Sequence, residues 1–348
     1  MPGNSATGDV PLPGTAGQVS GCRSVAAVRP AIEEVMRDMT HSGTAADLCG
    51  ICVILNGKSG RQDRREHEAL MRAFRESGLD VAVKRPSSGD RIAAAAAEAV
   101  AEGYGIVVAA GGDGTQSAVA GALAGTDVAM GIVPMGTFNF FAREHGIDTD
   151  AAAAVATIRQ GRIKRVSVGD INGQIFLNNA SFGLYPAILR AREDIYRRWG
   201  RSRLAAYWSV LSVLMHMRRP MVVDIQADGI RRRYETPLAF VGNSAYQLRI
   251  HDLAGAEAVG ADRFALLLAR ARTPWALLAS ALRLARRSAR QGVDFDLVCA
   301  DEIVIATRTR TRLVARDGEK ARMRGPFRLT VRSRALKIIV PTDAPDAP

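Results

Sequence analysis

Three glycines and an acidic residue lie within five positions in the stretch Gly111-Gly112-Asp113-Gly114-Thr115. The apolar residues 106–110 before it fit a buried strand, and residues 116–123 after it fit a helix. Glycine has no Cβ atom, so an anion can approach the backbone of such a turn, and the helix adds its unpaired N–H groups. This order predicts a phosphate-binding turn. Because Asp113 carries the same charge as a phosphate, we interpret it as a partner of a metal ion or of a hydroxyl group.

Two more polar loops follow apolar segments that we interpret as strands. One is Pro134-Met135-Gly136-Thr137-Phe138-Asn139, and the other is Asn56-Gly57-Lys58-Ser59-Gly60. Ligands of open α/β sheets bind at the carboxyl ends of the strands, so we expect the three loops to form one nucleotide cleft. The candidate nucleotide-binding residues are Asn56, Ser59, Gly111, Gly112, Asp113, Gly114, Thr115, Pro134, Gly136, Thr137 and Asn139.

Two common nucleotide-binding motifs are excluded by single positions. Gly57-Lys58-Ser59 resembles the end of a P-loop, but the glycine required five residues earlier is replaced by Cys52. The segment from Gly112 begins like a dinucleotide-binding fingerprint, but Ser117 stands where the third glycine is required. The motifs therefore indicate neither a P-loop NTPase nor an ordinary NAD-binding Rossmann protein.

The elements that must position these loops change character along the chain. Strands and helices alternate up to residue 162, which predicts an N-terminal α/β nucleotide-binding domain with a parallel sheet. Within it we expect Ser87-Ser88-Gly89-Asp90 to cap a helix over residues 92–101, and Thr137 to cap a helix over residues 137–144. After residue 163, short strands at close spacing predict a C-terminal domain that is a mainly antiparallel β-sandwich. We expect a mobile tail with a short helix over residues 1–46, the α/β domain over residues 47–162 and the sandwich over residues 163–333.

The net charge of +12, carried almost entirely by arginine, favours anionic partners. Nucleic acid is not expected, because no nucleic-acid-binding motif is present and aromatic residues make up only 5% of the chain. Residues 188–219 and 274–291 combine arginines with Trp or Tyr, which suits a membrane interface and equally suits helices packed on the sandwich. The sequence leaves the oligomeric state open, with a homodimer as one alternative.

The sequence predicts a cytoplasmic protein. Its first residues lack the basic and apolar regions of a secretory signal, and its longest apolar run, residues 204–217, is shorter than the ~20 residues that span a bilayer. Cys49 and Cys52 form a CxxC pattern on a predicted strand, where residues three apart point to opposite faces, so a redox pair is not expected. Peripheral attachment to the inner face of the membrane remains open.

The GGDGT turn, the PxGTxN pattern of residues 134–139, the NxxSG loop and the late Asp317-Gly318-Glu319 together resemble the diacylglycerol kinase catalytic-domain family. That family includes bacterial lipid kinases and sphingosine kinases, and the resemblance extends from about residue 51 to residue 341. It implies a lipid kinase that uses ATP and Mg²⁺ and acts on a lipid substrate at a membrane surface. It also implies that the last strand, within residues 334–342, returns to the first domain.

The resemblance also implies roles for individual acidic residues. Asp317 and Glu319 would face the cleft and carry the catalytic acid, with Asp113 on the opposite wall holding Mg²⁺ or the acceptor hydroxyl. The sequence does not decide which of the first two takes the proton. On the residues alone, the same acid–glycine–acid turn equally fits the tip of a surface hairpin. Asp262 matches the family's structural metal site, which makes Asp113 and Asp262 the predicted metal ligands.

Three positions depart from the family pattern. Gly57 stands where the family often has proline, Phe140 stands where it often has aspartate, and Arg263 follows Asp262 where it has glycine. Loss of the carboxylate at Phe140 would weaken metal binding or alter the substrate, and Arg263 brings an unfavourable positive charge to the predicted metal site. Two alternatives therefore remain: a kinase with a soluble acceptor such as NAD, and a nucleotide-binding regulatory protein that has lost catalysis.

Overall fold

The structure is a computed structural model, and it describes residues 50–56, 61–189 and 220–344. The predicted N-terminal tail of residues 1–46 with its short helix, Ser59 and most of the arginine-rich segment 188–219 lie outside the described residues.

Four parallel strands form the first part of a ten-stranded sheet. They are β1 (Ile51–Leu55), β2 (Val81–Lys84), β3 (Ile106–Gly111) and β4 (Ala129–Pro134), in the order β2-β1-β3-β4. The helices between and after them are α1 (Arg61–Ser77), α2 (Ile92–Ala101), α3 (Asp113–Leu123), α4 (Phe140–Glu144) and α5 (Ala151–Gln160). The strands β3 and β4 are buried along their whole length, as expected for central strands of a covered parallel sheet.

Two long strands carry this sheet into the second half of the chain. These are β5 (Arg162–Ile171) and β16 (Phe327–Val340), which pair antiparallel to each other. Near its end β16 also lies parallel to β4, with Lys337 beside Ala129. The pairing of β16 with β5 shifts register between Arg332 and Leu336, and the first half of β16 also pairs antiparallel with β13 (Glu302–Thr307) on its other side. The parallel and antiparallel strands therefore belong to one continuous sheet.

A second, six-stranded sheet is antiparallel throughout, and its strands lie in the order β12 (Phe295–Ala300), β11 (Phe264–Ala269), β10 (Leu238–Gly242), β7 (Asn179–Gly183), β14 (Thr311–Arg316) and β15 (Glu319–Arg324). It packs on the antiparallel part of the first sheet around a core that includes Phe176, Phe182, Phe264 and Phe327. This architecture confirms the predicted fold class. The remaining strands belong to the first sheet and are β6 (Gln174–Phe176), β8 (Met221–Ala227) and β9 (Ile230–Thr236).

The second half also contains helices α6 (Ala245–Ile250), α7 (Ala256–Gly260) and α8 (Pro274–Ala285), and residues 184–189 are helical as well. Two of these helices begin at side-chain caps. The hydroxyl of Ser244 accepts a hydrogen bond from the Gln247 N–H at 3.1 Å, and that of Thr273 accepts one from the Ala276 N–H at 3.2 Å.

Several predicted helix ends are wrong. The helix after the glycine turn begins at Asp113, three residues earlier than expected, and α4 begins at Phe140 instead of Thr137. Ser88 makes no side-chain cap, because a 3₁₀ turn, Gly89–Arg91, precedes α2 and places Arg91 at its N-cap. At α4 the helix end is decided by the hydrogen bonds that Asp113 accepts from the N–H groups of Asn139 and Phe140, a long-range contact that helix propensity alone does not contain.

Candidate functional site

The glycine turn and the loop of residues 134–139 touch through their backbones. A Cβ atom built on Gly136 would lie 2.6 Å from the Cα of Gly112, and one built on Gly112 would lie 3.1 Å from the Cα of Gly136. The Met135 N–H also donates to the carbonyl of Gly111 at 3.0 Å. Side chains are therefore excluded from this contact, and the two turns form one surface of exposed and half-buried backbone.

Asp113 lies in the first turn of α3 and connects it to α4. Its carboxylate accepts hydrogen bonds from the backbone N–H groups of Asn139 at 2.9 Å and Phe140 at 2.8 Å. These groups begin α4, so the capping that the sequence assigned to Thr137 is supplied from another segment. The Thr137 side chain is exposed instead. Asn139, with φ of 51°, closes its own loop by exchanging two hydrogen bonds with Gly136.

Thr115 and Asn56 join the glycine turn to the end of β1. The Asn56 side-chain amide donates to the hydroxyl of Thr115 at 3.1 Å, and the Asn56 N–H donates to the carbonyl of Ala110 at 3.3 Å. Thr115 is buried, so its hydroxyl stabilises the turn from the protein interior. The structure thus brings these two predicted residues together, with Asn56 fixing the strand ends.

The two acidic residues of the late acid–glycine–acid motif have opposite surroundings. Asp317 and Gly318 have φ of 44° and 85° and form the two-residue turn between β14 and β15. The buried Asp317 carboxylate accepts three backbone N–H groups, from Leu177 at 2.7 Å, Asn178 at 2.7 Å and Asn179 at 3.0 Å. Both of its oxygens are therefore engaged in holding residues 177–179.

Burial raises the pKa of Asp317, and the hydrogen bonds from the three backbone N–H groups and from the Ser117 side chain act in the opposite direction. Ser117 belongs to α3, so the turn of the second sheet is bonded directly to the helix that follows the glycine turn. Asp317 therefore stabilises the contact of its turn with residues 177–179 and with α3.

Glu319, the first residue of β15, is exposed. A Cβ atom built on Gly114 would lie 3.0 Å from the Oε1 atom of Glu319, so this carboxylate lies against the first turn of α3. An exposed carboxylate from one half of the chain thus meets the glycine turn from the other half. We call the region where residues 111–115, 134–139, 177–179 and 317–319 meet the loop junction.

Asn178 is a buried side chain of the loop junction that our sequence reasoning did not place in the site. Its amide donates to Asp113 at 3.3 Å, whereas its Oδ1 atom is buried without a hydrogen-bond partner among the described residues. The neighbouring Asn179 donates to the Oε1 atom of Gln247 at 3.0 Å. Two adjacent amides between the apolar residues Phe176 and Ala180 were the available signal, because buried polar groups usually have a structural or functional reason.

A cleft of about 360 Å³ opens beside the loop of residues 134–139. Gly136, Asn139 and Pro134 line it, together with residues of α1 and α5. The glycine turn of residues 111–115 contributes no lining residue but touches the cleft wall at Gly136. Of the predicted nucleotide-binding residues, Pro134, Gly136 and Asn139 therefore line the cleft, whereas those of the glycine turn lie beside it in the loop junction.

Two phenylalanines, Phe138 and Phe140, flank Asn139 in the chain. The rings of Phe138 and Phe140 stack with centroids 5.2 Å apart and planes 7° apart, and Phe138 is 61% exposed. Phe140 is the position where the family pattern often has aspartate. Here an aromatic ring fills the place, while its backbone N–H is bound by Asp113.

The predicted metal ligand Asp262 lies in a different environment from Asp113. It is exposed before β11, and Ser333 is 3.5 Å away. The adjacent Arg263 donates to Asp228 at 2.6 Å and to the carbonyl of Cys299 at 2.9 Å, so a guanidinium already supplies positive charge there. In the parts of the chain that the structure describes, no group of three or more His, Cys, Asp or Glu residues is arranged to hold a metal ion. Both metal assignments stay predictions.

A second contact couples the glycine-turn half to the sandwich. Glu144, at the end of α4, accepts hydrogen bonds from the backbone N–H groups of Ala245 at 2.8 Å and Tyr246 at 3.4 Å, which begin α6. Burial raises the pKa of Glu144, and these N–H groups partly offset it. Asp113 of α3 binds the start of α4, and Glu144 of α4 binds the start of α6. Side-chain hydrogen bonds therefore link α3, α4 and α6 in that order.

None of the helices in the described ranges is both long enough and apolar enough to cross a membrane.

Residues 50–171 match the family model described as "Diacylglycerol kinase catalytic domain". The "Diacylglycerol kinase" of Bacillus subtilis strain 168 is 31% identical over 183 residues, which cover 51% of this chain and 59% of the relative. The "Probable lipid kinase YegS-like" of Pseudomonas aeruginosa PAO1 is 38% identical over 135 residues, which cover 38% of this chain and 44% of the relative. The chain thus spans about half the length of these curated relatives.

The fold is similar to a crystal structure of a diacylglycerol kinase from Bacillus anthracis strain Sterne. The TM-score is 0.63, the sequence identity is 20%, and the similarity covers 84% of this chain and 97% of that chain. At this identity the similarity concerns the fold.

Proposed function

Residues 50–171 belong to the diacylglycerol kinase catalytic-domain family, and we propose that the protein is an ATP- and Mg²⁺-dependent lipid kinase. It transfers the γ-phosphoryl group of ATP to a hydroxyl of diacylglycerol or of a related lipid. The observation that carries this proposal is the approach of the exposed Glu319 carboxylate to the first turn of α3, beside Gly114. An acid that can accept a proton thereby lies at a turn built to receive phosphate.

The shape of the loop junction supports binding of a triphosphate. Gly112 and Gly136 leave their backbones uncovered, and the N-terminus of α3 points its unpaired N–H groups to the same place. The cleft lined by Gly136 and Asn139 lies next to it and, at about 360 Å³, falls within the size range of small-molecule sites. In this arrangement the phosphates occupy the glycine turn, and the base and ribose occupy the cleft.

The different surroundings of the two late acids divide their roles. Both oxygens of Asp317 accept backbone N–H groups, so Asp317 positions the turn, and Glu319 takes the proton of the acceptor hydroxyl. As the hydroxyl oxygen forms its bond to the γ-phosphorus, the bond from that phosphorus to the bridging oxygen of ADP breaks. The proton passes to the Glu319 carboxylate, and phospholipid and ADP are the products.

Oxygen atoms at the loop junction are suited to hold Mg²⁺, a hard cation that prefers carboxylate and carbonyl oxygen. Asp113 and the Oδ1 atom of Asn178 are the residues we assign to it, because that Oδ1 is buried without a partner among the described residues. When bound, Mg²⁺ supplies neutralisation of the phosphate charges. Asp113 also holds the loop of residues 134–139, so it links the metal site to the cleft wall.

The proposal assigns the ATP-binding domain to residues 47–162 with the returning segment 334–342, and the lipid-substrate domain to residues 163–333. A lipid acceptor requires contact with a membrane surface, so we place the protein in the cytoplasm, attached peripherally to the inner face of the membrane. The net charge of +12 favours an anionic leaflet. Nucleic acid is not a partner in this proposal.

The test measures transfer of label from γ-labelled ATP, with Mg²⁺, to mixed micelles of diacylglycerol, ceramide or sphingosine, and in parallel to NAD. We expect labelled lipid, and we expect Glu319→Gln to lower kcat by roughly 10²- to 10⁴-fold, the usual contribution of a general base. ATP binding by that variant, measured by calorimetry, should remain. The control is Glu257→Gln, which changes an exposed glutamate of α7 and should leave kcat unchanged.

Other results would contradict the proposal in distinct ways. Labelled NADP without labelled lipid would indicate a kinase with a soluble acceptor. ATP binding without transfer to any acceptor would indicate a nucleotide-binding regulatory protein. Full activity of Glu319→Gln would remove this residue from the mechanism.

A further inference from the structure

Helix α8 differs from the other long helices of the described ranges because it buries very little of its surface. Its start is well defined, with Thr273 as the N-cap and Pro274 at the first position. Of its twelve residues, only Leu277 is buried. Trp275 is 75% exposed and Leu282 is 47% exposed, although both are large apolar side chains.

Two of the exposed apolar side chains of α8, Trp275 and Leu282, lie on one face with the half-buried Ala279 between them, and we call this set the apolar stripe. Positions separated by four, seven and eleven residues lie on one face of a helix, which aligns Trp275, Ala279 and Leu282 and continues to Arg286. The opposite side carries Leu277, which packs with Ala271 and Leu184. The helix is therefore attached by one face and presents an apolar stripe on the other.

Positive charge without partners follows the stripe. Arg286, Arg287 and Arg290 are exposed, and no carboxylate of the described residues lies within ion-pair distance of their side chains. The two nearby acids are neutralised, since Asp294 pairs with Arg283 and Asp296 pairs with Arg270 at 2.7 Å. This side of the molecule thus combines a Trp, a Leu and three free guanidinium groups.

A buried carboxylate fixes the position of this surface. Asp294 is 5% exposed and accepts hydrogen bonds from the Ser280 hydroxyl at 2.7 Å, the Arg283 Nε at 2.9 Å and the Arg290 N–H at 3.0 Å. These contacts tie the second half of α8 to the segment that follows it. The stripe and the arginines are therefore held in a fixed relation to each other.

We propose that α8 docks the protein onto an anionic lipid surface, with Trp275 and Leu282 at the boundary of the acyl chains and Arg286, Arg287 and Arg290 among the headgroups. An amphipathic helix with aromatic and basic residues is suited to lie in the plane of a membrane interface. A second copy of this chain is a poorer occupant, because a two-fold contact would bring the same unpaired arginines together. The proposal rests on the proposed lipid acceptor for its biological purpose, but its test needs no catalysis.

The test is sedimentation of the full chain with vesicles, either of phosphatidylcholine alone or of phosphatidylcholine mixed with phosphatidylglycerol. The wild-type protein should bind the anionic vesicles more tightly than the neutral ones, and binding should weaken with salt. The triple change Arg286→Ser, Arg287→Ser and Arg290→Ser should reduce the partition coefficient on the order of 100-fold, at about 1 kcal/mol for each basic residue near the surface. Trp275→Ser with Leu282→Ser should reduce it about tenfold or more through lost apolar burial.

Matched controls change the same residue types elsewhere. Ile230→Ser removes an apolar side chain that is 63% exposed on β9, and Arg308→Ser with Arg310→Ser and Arg324→Ser removes three charges at the far end of the β14–β15 hairpin. Both controls should stay within about twofold of wild type if binding is specific to α8. Thermal unfolding of each variant shows that the fold is retained.

Kinase activity toward a short-chain, water-soluble diacylglycerol separates this proposal from the proposed function. The α8 variants should keep that activity while losing vesicle binding. Absent or salt-independent binding by the wild type would overturn the docking role, as would equal losses in the α8 variants and the controls. So would a wild-type dimer, seen by light scattering, that Trp275→Ser with Leu282→Ser converts to a monomer without loss of vesicle binding.

Discussion

The loop junction and helix α8 are each held by one buried aspartate, but the surfaces around these aspartates differ in polarity. In each, one buried aspartate collects hydrogen-bond donors from several segments: Asp317 holds residues 177–179, and Asp294 holds Ser280, Arg283 and Arg290. At the loop junction the neighbouring residues include polar side chains such as Asn139, Asn178 and Glu319 and lie beside a cleft. At α8 they are apolar and face outward. The anchoring carboxylate fixes the backbone, and its neighbours decide what the surface can bind.

The two anchors also differ in the charge of their partners. Asp317 has only neutral donors, and burial raises its pKa. Asp294 has the Arg283 guanidinium, which lowers its pKa to about 2 although the side chain is buried. A cationic partner therefore outweighs desolvation, whereas neutral N–H groups only reduce its effect. This difference predicts that Asp294, whose pKa is lowered, contributes stability that is lost at acidic pH.

The largest effect on stability is expected at Asp317. Asp317→Asn replaces one carboxylate oxygen with an N–H₂ group, which faces backbone N–H donors and leaves at least one of them unpaired. We expect the free energy of unfolding, measured in urea, to fall by about 3 kcal/mol, as for loss of charge-assisted hydrogen bonds in a buried site. The variant keeps the left-handed backbone at little cost, because Asn adopts that region readily.

Asp262→Asn is the matched control for that variant. Asp262 has φ of 57°, close to the backbone of Asp317, but it is exposed and has one distant neighbour, Ser333. Its loss should change stability by no more than about 0.5 kcal/mol. Equal effects of the two substitutions would show that the buried hydrogen bonds of Asp317 are not what holds the loop junction.

A smaller effect is expected where the two glycine loops touch. In Gly136→Ala the new Cβ would lie 2.6 Å from Gly112 Cα and 2.7 Å from Asn139 Oδ1, and neither neighbour is a flexible chain end. We expect overpacking to reduce the free energy of unfolding by about 2 kcal/mol and to weaken ATP binding in calorimetry. Gly89→Ala, with no atom within 4 Å and no positive φ, should be neutral. A fully active and stable Gly136→Ala variant would contradict the backbone contact.

The smallest effect concerns pH and the α8 anchor. The pKa of Asp294 is lowered from 3.8 to about 2, so its stabilisation is present above pH 4 and is lost as the pH falls through that interval. We expect Asp294→Asn to lower stability at neutral pH by about 1 kcal/mol, less than the pKa shift alone implies because the Arg283 side chain is 41% exposed and solvent screens the pair, and to remove this part of the acid dependence in urea titrations. Asp296→Asn, which breaks a half-exposed ion pair with Arg270, should cost no more than about 0.5 kcal/mol. Identical acid dependence in wild type and Asp294→Asn would refute the assignment.

The similarity of residues 50–171 to the diacylglycerol kinase catalytic domain and the fold class were predicted from the sequence and are confirmed, because both depend on local patterns. The apolar run of β3, the glycines that follow it and the alternation of strands with helices are visible within short windows. Helix boundaries next to the site were less predictable. Thr137 is a good capping residue by type, but α4 is capped by Asp113, which is 24 positions earlier.

The roles of the late acids show the same limit at a finer scale. Asp317 and Glu319 are two positions apart and chemically alike, so no sequence pattern shows that Asp317 is buried and structural whereas Glu319 is accessible. The separation arises because the turn directs Asp317 toward residues 177–179 and Glu319 toward Gly114. Asn178 was missed for a related reason, since its contact with Asp113 joins residues 65 positions apart.

By itself, the sequence determined that strands, glycine turns and helices follow one another in an order suited to phosphate binding, because backbone preferences and apolar periodicity act over a few residues. Only the tertiary structure decided that Asp317 and Asp294 are buried and hold neighbouring segments, that Glu319 is exposed, and that α8 turns its apolar stripe outward. These properties depend on burial and on hydrogen-bond partners, and both are set by segments that meet only when the chain has folded.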